Sequence, residues 1–281
     1  MKLYKCFIYV VLILIALSVI VPVGWVLLAS VKENSEFYAS PWSLPKGLNF
    51  KNFADAWQEA EMGEYFLNSV VVTVLAIAML LAASLPCAYV LSRFSFCGRK
   101  IIKTFFSAGL FINVSYIVVP IFLMLVGLNK TFGVSFFLNN RFVLALVYAA
   151  CALPFTVYLL QGYFATLPAT FEEAACVDGA GPVKTMISVM FPMAKPAVIT
   201  VILFNFLSFW NEYIIALTFM TRDTAKTLPV GIMNLMKAQN AAAQYGKMYA
   251  GLVIVMVPTL ILYIAVQKKL TEGMTVGGIK G

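Results

Sequence analysis

Thr170-Phe171-Glu172-Glu173-Ala174-Ala175-Cys176-Val177-Asp178-Gly179-Ala180-Gly181-Pro182, followed six residues later by Val189-Met190-Phe191-Pro192, is a polar, glycine-broken passage in a chain that is otherwise mostly hydrocarbon. Pro168 ends whatever precedes it, so Thr170 is predicted to be an N-cap, with Glu173 three residues on to complete a capping box. Glu172 and Glu173 then sit at the positive end of a new helix, and Ala174 and Ala175 favour its propagation. Gly179 and Gly181-Pro182 stop it. Pro182 suits the first position of a second short helix, which would carry Met186, Ile187, Val189, Met190 and Phe191 and end before Pro192.

Working outward, this passage is flanked by two long apolar runs, 142–164 and 197–219, and four more runs of the same kind occupy 7–29, 67–91, 103–127 and 247–267. Each is close to the ~20 apolar residues needed to cross a bilayer. Composition agrees: 62% of the 281 residues are hydrophobic and 11% are charged, less than half the ~25% charge of a soluble domain, and the mean hydropathy is +0.91. A β-barrel would alternate over ten-residue segments, so unbroken runs predict helices. The expected fold is an all-α membrane protein with six transmembrane helices in one domain, 1–281, with the polar loop at 165–196. Pro22, Pro86, Pro120, Pro154 and Pro258 fall inside the runs and mark kinks. The run from Phe7 to Ala29 exceeds a signal-peptide core and lacks a clear cleavage site, so it is expected to be a retained span.

Net charge is +8, but the basic residues are scattered at run ends and form no stripe. They predict orientation and contact with membrane lipid headgroups, with no nucleic-acid partner. Arg93, Arg99, Lys100 and Lys103 cluster between runs two and three, and Lys268-Lys269 follows run six. Both features place the 165–196 loop and both termini in the cytoplasm of a multi-pass cell-membrane protein. The longest external loop, Val31 to Phe66, contains Asn52, expected to cap a short helix with Phe53 and Trp57 on one face.

Several chemistries are excluded. The chain has no histidine, hence neither the usual general base nor the commonest metal ligand. Its five cysteines form no CxxC pair and read as small apolar residues. No catalytic or metal-binding set is expected. Gly179 to Thr185 faintly suggests a phosphate loop, but Val183 stands where glycine must precede the lysine, and a helix precedes the loop instead of a strand. Within the runs Glu212 is the one acidic residue. It reads as a pathway or interface group, or as a side chain reaching interfacial water. Asn205 and Glu212, seven apart, are expected to share a face, with Trp210 and Asn211 beside them. Tyr116, Tyr148, Tyr158, Trp210 and Tyr213 read as sugar-stacking or interfacial aromatics.

On physics alone the 165–196 loop is either a docking element for a soluble partner or an interfacial helix on the headgroups. A resemblance separates the two. Glu173-Ala174-Ala175, three residues, Gly179, nine residues, then Val189-Met190-Phe191-Pro192 resembles the EAA motif of permease subunits of binding-protein-dependent ABC importers. Val189 and Phe191 replace the family's isoleucine and leucine, and Val177-Asp178-Gly179-Ala180 resembles the extended form of the motif. The likeness runs along most of the chain. Ser30-Val31-Lys32, Ala39-Ser40-Pro41, Leu44-Pro45-Lys46, Asn52-Phe53 and Phe209-Trp210-Asn211-Glu212-Tyr213 are similar to carbohydrate permeases. The tail Thr275 to Gly281 is similar to that of the smaller maltose permease subunit.

The resemblance implies a type I ABC importer permease fold with a cytoplasmic coupling-helix loop. It implies a non-enzymatic subunit of an ATP-driven sugar importer that forms half of the translocation pathway. Other small solutes, such as polyamine, phosphonate or glycerol phosphate, stay open. It implies a second permease subunit as a heterodimer partner, a cytoplasmic ABC ATPase pair that binds the ATP, and an extracytoplasmic sugar-binding protein, with no cofactor of the chain's own. Glu172, Glu173, Ala174, Ala175, Asp178, Gly179, Val189, Phe191 and Pro192 are the implied coupling residues. A membrane-embedded enzyme and a secondary transporter are the rival classes. The first is disfavoured by the missing histidine and metal cluster, the second because it needs no such loop and usually carries internal repeats.

Overall fold

The computed structural model describes residues 2–59, 62–241 and 244–278. Among these it is helical nearly throughout. In chain order the helices are α1 (Lys2–Ser30), α2 (Asn34–Ala39), α3 (Lys51–Glu59), α4 (Met62–Arg93), α5 (Arg99–Gly109), α6 (Val114–Phe132), α7 (Arg141–Thr166), α8 (Thr170–Val177), α9 (Pro182–Thr185), α10 (Phe191–Met193), α11 (Lys195–Trp210), α12 (Ile214–Phe219), α13 (Leu228–Ala241) and α14 (Tyr245–Gly278). Ile279-Lys280-Gly281, the end of the tail singled out in the sequence, lies outside the described residues.

Among the described residues, five segments are long and apolar enough to cross a bilayer on their own: Tyr4–Ser30, Met62–Arg93, Val114–Phe132, Arg141–Thr166 and Tyr245–Ala265. Pro182–Met193 and Lys195–Trp210, bent by 72° at their junction, are long and apolar enough only when taken together, and make a sixth if the pair is one span. Two of the six expected runs therefore differ from the observed helices. The run 103–127 is interrupted: α5 ends at Gly109 and α6 starts at Val114. A β-carbon at Gly109 would lie 2.8 Å from Pro154 Cγ, so this glycine lets α5 close on α7. Asn113 then caps α6 by accepting from the Ser115 amide at 2.9 Å. The run 197–219 breaks after Trp210, where Asn211 leaves helical geometry (ψ 3°).

The chain divides into two compact units, residues 1–65 with 228–258 and residues 66–227 with 259–281. In the first, α1 is exposed along its apolar length, and its end leads into a polar hub. Lys32 is fully buried. Its ammonium donates to Pro41 O at 2.9 Å and sits over the rings of Trp25 and Phe37 at 5.0 and 5.1 Å. Asn52 lies inside α3, not at its cap, and its amide donates to Ser30 O and Lys32 O at 2.9 and 2.8 Å. Ser30 is the last residue of α1, whose final carbonyls helix geometry leaves without partners, and Lys32 lies two residues beyond it.

In the second unit, α7 is the central helix, with α5, α11 and α12 packed on it and α12 also against α6. Its core gathers Ala88, Tyr89 and Leu91 of α4, Val157, Leu160 and Phe164 of α7, and Met190, Ala194, Ala197 and Val201. This cluster anchors the loop between α7 and α11.

Candidate functional site: the helix-turn-helix between α7 and α11

Ala169 already has helical backbone angles, so its carbonyl accepts the amides of Glu172 and Glu173 at 3.0 and 3.1 Å. Thr170 is thereby the first residue of α8, and no side chain caps the helix. The capping box read from the sequence does not form, because the chain turns helical one residue early. The other end of α8 matches expectation. Gly179 has φ +76°, a conformation that costs a residue with a β-carbon about 1 kcal/mol or more. The Ala180 amide reaches Ala175 O at 2.9 Å and the Gly179 amide reaches Cys176 O at 3.0 Å. This is the Schellman arrangement, which satisfies the last carbonyls.

Pro182 opens the second helical segment, as expected, but the segment does not stop before Pro192. Met186–Met190 widens into a π turn, in which the Phe191 amide bonds Met186 O, five residues back, and α10 continues to Met193. A proline ring collides with the carbonyl four residues before it. The wider turn relieves that collision and lets Pro192 stay inside the helical path.

The coupling residues named from the sequence separate into two faces. Glu172 and Ala175 point inward, whereas Glu173, Ala174, Asp178 and Gly179 are exposed. Val177, part of the extended motif but not among the implied coupling residues, is 88% exposed and Ala175 only 7%. Val189 and Phe191 are half-buried against the core cluster, with Phe191 6.3 Å from Phe164 between ring centroids. Pro192 is exposed. These motif residues thus serve two purposes: Val189 and Phe191 root the loop in the helix bundle, and Glu173, Ala174 and Val177 form its outer face.

Glu172 meets α4. Its Oε1 accepts from Tyr89 OH at 2.8 Å, and its Oε2 lies 3.3 Å from Arg93 Nε. Arg93 also donates to Leu167 O, at the end of α7, at 2.5 Å. Arg99 donates to Leu91 O and Ser92 O at 3.0 and 2.9 Å. Two members of the basic cluster therefore satisfy helix ends as well as marking orientation. Beside Arg99, burial lowers the Lys103 pKa, and the Arg99 charge lowers it further.

The second group of site residues falls at the α11–α12 break. Asn205 is buried, and its amide donates to Thr156 Oγ1 at 3.2 Å and Val201 O at 2.8 Å. Trp210 is buried, stacked on Phe206 and edge-on to Phe66. Glu212 accepts from Tyr148 OH at 2.7 Å and from the Ile215 and Ala216 amides at 2.7 and 3.0 Å. The helix ends between Asn205 and Glu212, so seven-residue spacing does not put them on one face. Asn211 is exposed. Tyr116 and Tyr158 are 80% and 58% exposed, and Tyr148 is buried.

Residues 81–269 match the model of the "binding-protein-dependent transport system inner membrane component" family. The chain belongs to that family. Among its relatives, the diacetylchitobiose uptake system permease protein NgcG of Streptomyces coelicolor is 40% identical over 95% of this chain and 86% of its own. The trehalose/maltose transport system permease protein MalG of Thermococcus litoralis is 30% identical over 96% and 94%. A solved bacterial ABC transporter involved in importing the acidic polysaccharide alginate has a chain that superposes with a TM-score of 0.80. It is 24% identical and covers 95% of this chain and 96% of that one. The fold is that of an ABC importer permease. As an inner-membrane component of a transport system, this permease is not itself an enzyme.

Proposed function

We propose that this permease is one of two membrane subunits of an ATP-driven carbohydrate importer. Its relatives are named as uptake permeases for diacetylchitobiose and for trehalose and maltose, which favours sugar over polyamine or phosphonate. The second permease forms the other half of the pathway, as a heterodimer. A cytoplasmic ATPase pair binds the nucleotide, and an extracytoplasmic binding protein delivers the sugar. Both termini lie in the cytoplasm, on the side of the basic cluster and of α8.

The observation that carries the coupling role is the outward face of α8. Glu173, Ala174 and Val177 lie on one side of a helix ended by a positive-φ glycine, held over the bundle by Val189 and Phe191. The small Ala174 in its middle permits close approach of a cleft on the ATPase. Closure of the ATPase pair would move α8 and, through it, the bundle.

The pathway is assigned to the two breaks. Lipid tolerates irregular backbone only where it is buried in protein or lines a wet cavity. Phe111 is 89% exposed and Ile112 57%, and Asn211 is exposed as well. We place the pathway along residues 110–113 and 211–213, with Glu212 fixing the second break and Asn205 and Trp210 supporting it from inside the bundle. The test is reconstitution. The permease pair, ATPase and binding protein in proteoliposomes should accumulate labelled chito- or malto-oligosaccharide only with internal ATP. Accumulation without nucleotide, or of polyamine alone, refutes the reading.

A further inference from the structure

Resting on that function, we propose that Tyr89, Arg93 and Glu172 form a latch carrying the motion of α8 directly into α4. Glu172 is then a positioning residue inside the permease, and it is Glu173 that faces the ATPase. Three observations carry this. First, Glu172 has turned away from the outer face of α8 and holds both a phenol and a guanidinium of α4. Second, the site is largely shielded: the Arg93 and Glu172 side chains are 15% and 23% exposed, so solvent screens the pair less than a surface one. Third, α8 has eight residues and no side-chain cap, too few to hold its own direction. Its orientation must come from outside the helix.

The latch also spans more than α8. Arg93 holds Leu167 O as well, Ser92 Oγ donates to Gln161 O at 3.2 Å, and Tyr89 packs edge-on against Phe164 with centroids 5.6 Å apart. The ends of α4 and α7 and the whole of α8 therefore form one body. Displacing α8 displaces α4, a helix that ends at Arg93, well before α7 begins at Arg141, and that does not flank the loop. Without the latch, α8 can rock on its two linkers while the ATPase cycles.

The test has two arms on the full permease. In nanodiscs without ATPase, Glu172→Ala should speed hydrogen exchange of amides 170–177 about ten-fold, local opening being the exchange route. Unchanged exchange overturns the latch. In the complete complex, a reporter cysteine at Asn211 in a cysteine-free background is labelled with a membrane-impermeant maleimide, with and without ATP and vanadate. The parent should show a labelling change of about five-fold or more, the scale of a coupling between sites. Glu172→Ala should flatten this response while the complex co-purifies and hydrolyses ATP. Glu172→Gln, which still accepts from Tyr89, should retain part of it, and Glu172→Arg with Arg93→Glu should restore part. An undiminished response in Glu172→Ala overturns transmission, as does equal loss of hydrolysis and response through failed assembly. If the parent neither binds an ATPase nor responds, the proposed function fails and transmission falls with it, while the exchange arm still decides the latch.

Discussion

Tyr148 on α7 donates a 2.7 Å hydrogen bond to Glu212, and the same carboxylate accepts two amides of the first turn of α12, those of Ile215 and Ala216. One acidic side chain thus begins a helix inside an apolar run and ties it to the central helix. An anion at a helix N-terminus is favoured by the helix dipole. In a low-dielectric surrounding, each donor left unpaired is costly.

Glu212→Ala should therefore act first on stability. It leaves a phenol and two amides without an acceptor, a loss of about 3 kcal/mol when charge-assisted bonds are removed. The melting temperature of the purified variant in detergent should fall and its yield with it. Glu212→Gln, keeping one acceptor oxygen, should fall less. A Glu212→Ala variant that melts with the parent but no longer imports would return Glu212 to a direct pathway role.

The apolar runs were legible because membrane solvation is written along the chain: hydrocarbon content alone locates α1, α4, α7 and α14. The breaks were not. Leu110-Phe111-Ile112 is as apolar as its neighbours, and α5 ends where Gly109 lies against Pro154, a closeness between distant residues that no local pattern shows. Asn113 was a local signal that could have been read as a cap. In the loop, Gly179 and Pro182 gave the turn correctly, since both act through their own backbone. The facing of α8 depends on Tyr89, 83 residues away, and no local pattern carries it. Glu172 and Glu173 are chemically equal in sequence and opposite in space.

Those two faces give a labelling prediction. Val177→Cys, on a side chain 88% exposed, should crosslink to the ATPase in an ATP-sensitive manner, and Ala174→Cys should do so too. Ala175→Cys, at a site 7% exposed, should crosslink several-fold less, since reaction needs access. Equal crosslinking from Ala175 and Val177 would mean α8 is rotated in the assembly.

Replacing Gly179 tests the turn that sets where α8 ends. With φ at +76°, Gly179→Ala should cost about 1 kcal/mol. Because nothing lies within 4 Å of the added carbon, the effect is conformational and not a clash. Gly179→Asn, which tolerates this region better, should recover about half of the loss. Coupled ATP hydrolysis in the assembled transporter is the readout, and alanine and asparagine variants that behave alike would exclude backbone conformation as the cause.

Gly246 is constrained by space instead. A β-carbon there would lie 2.6 Å from Asn52 Nδ2 and 2.7 Å from Lys32 O, a backbone atom that cannot swing away. Gly246→Ala must push Asn52 off the carbonyls of Ser30 and Lys32, uncovering the last turn of α1. The expected loss is about 2–3 kcal/mol, from overpacking together with broken buried hydrogen bonds. Asn52→Ala removes the bonds and one of the two close contacts while Lys32 O stays in place, so the double variant should be destabilised, but by less than the sum of the singles. Thermal unfolding of the four proteins measures the difference. Strict additivity would show that the two sites do not touch, and would remove the hub as the element that joins α1, α3 and α14.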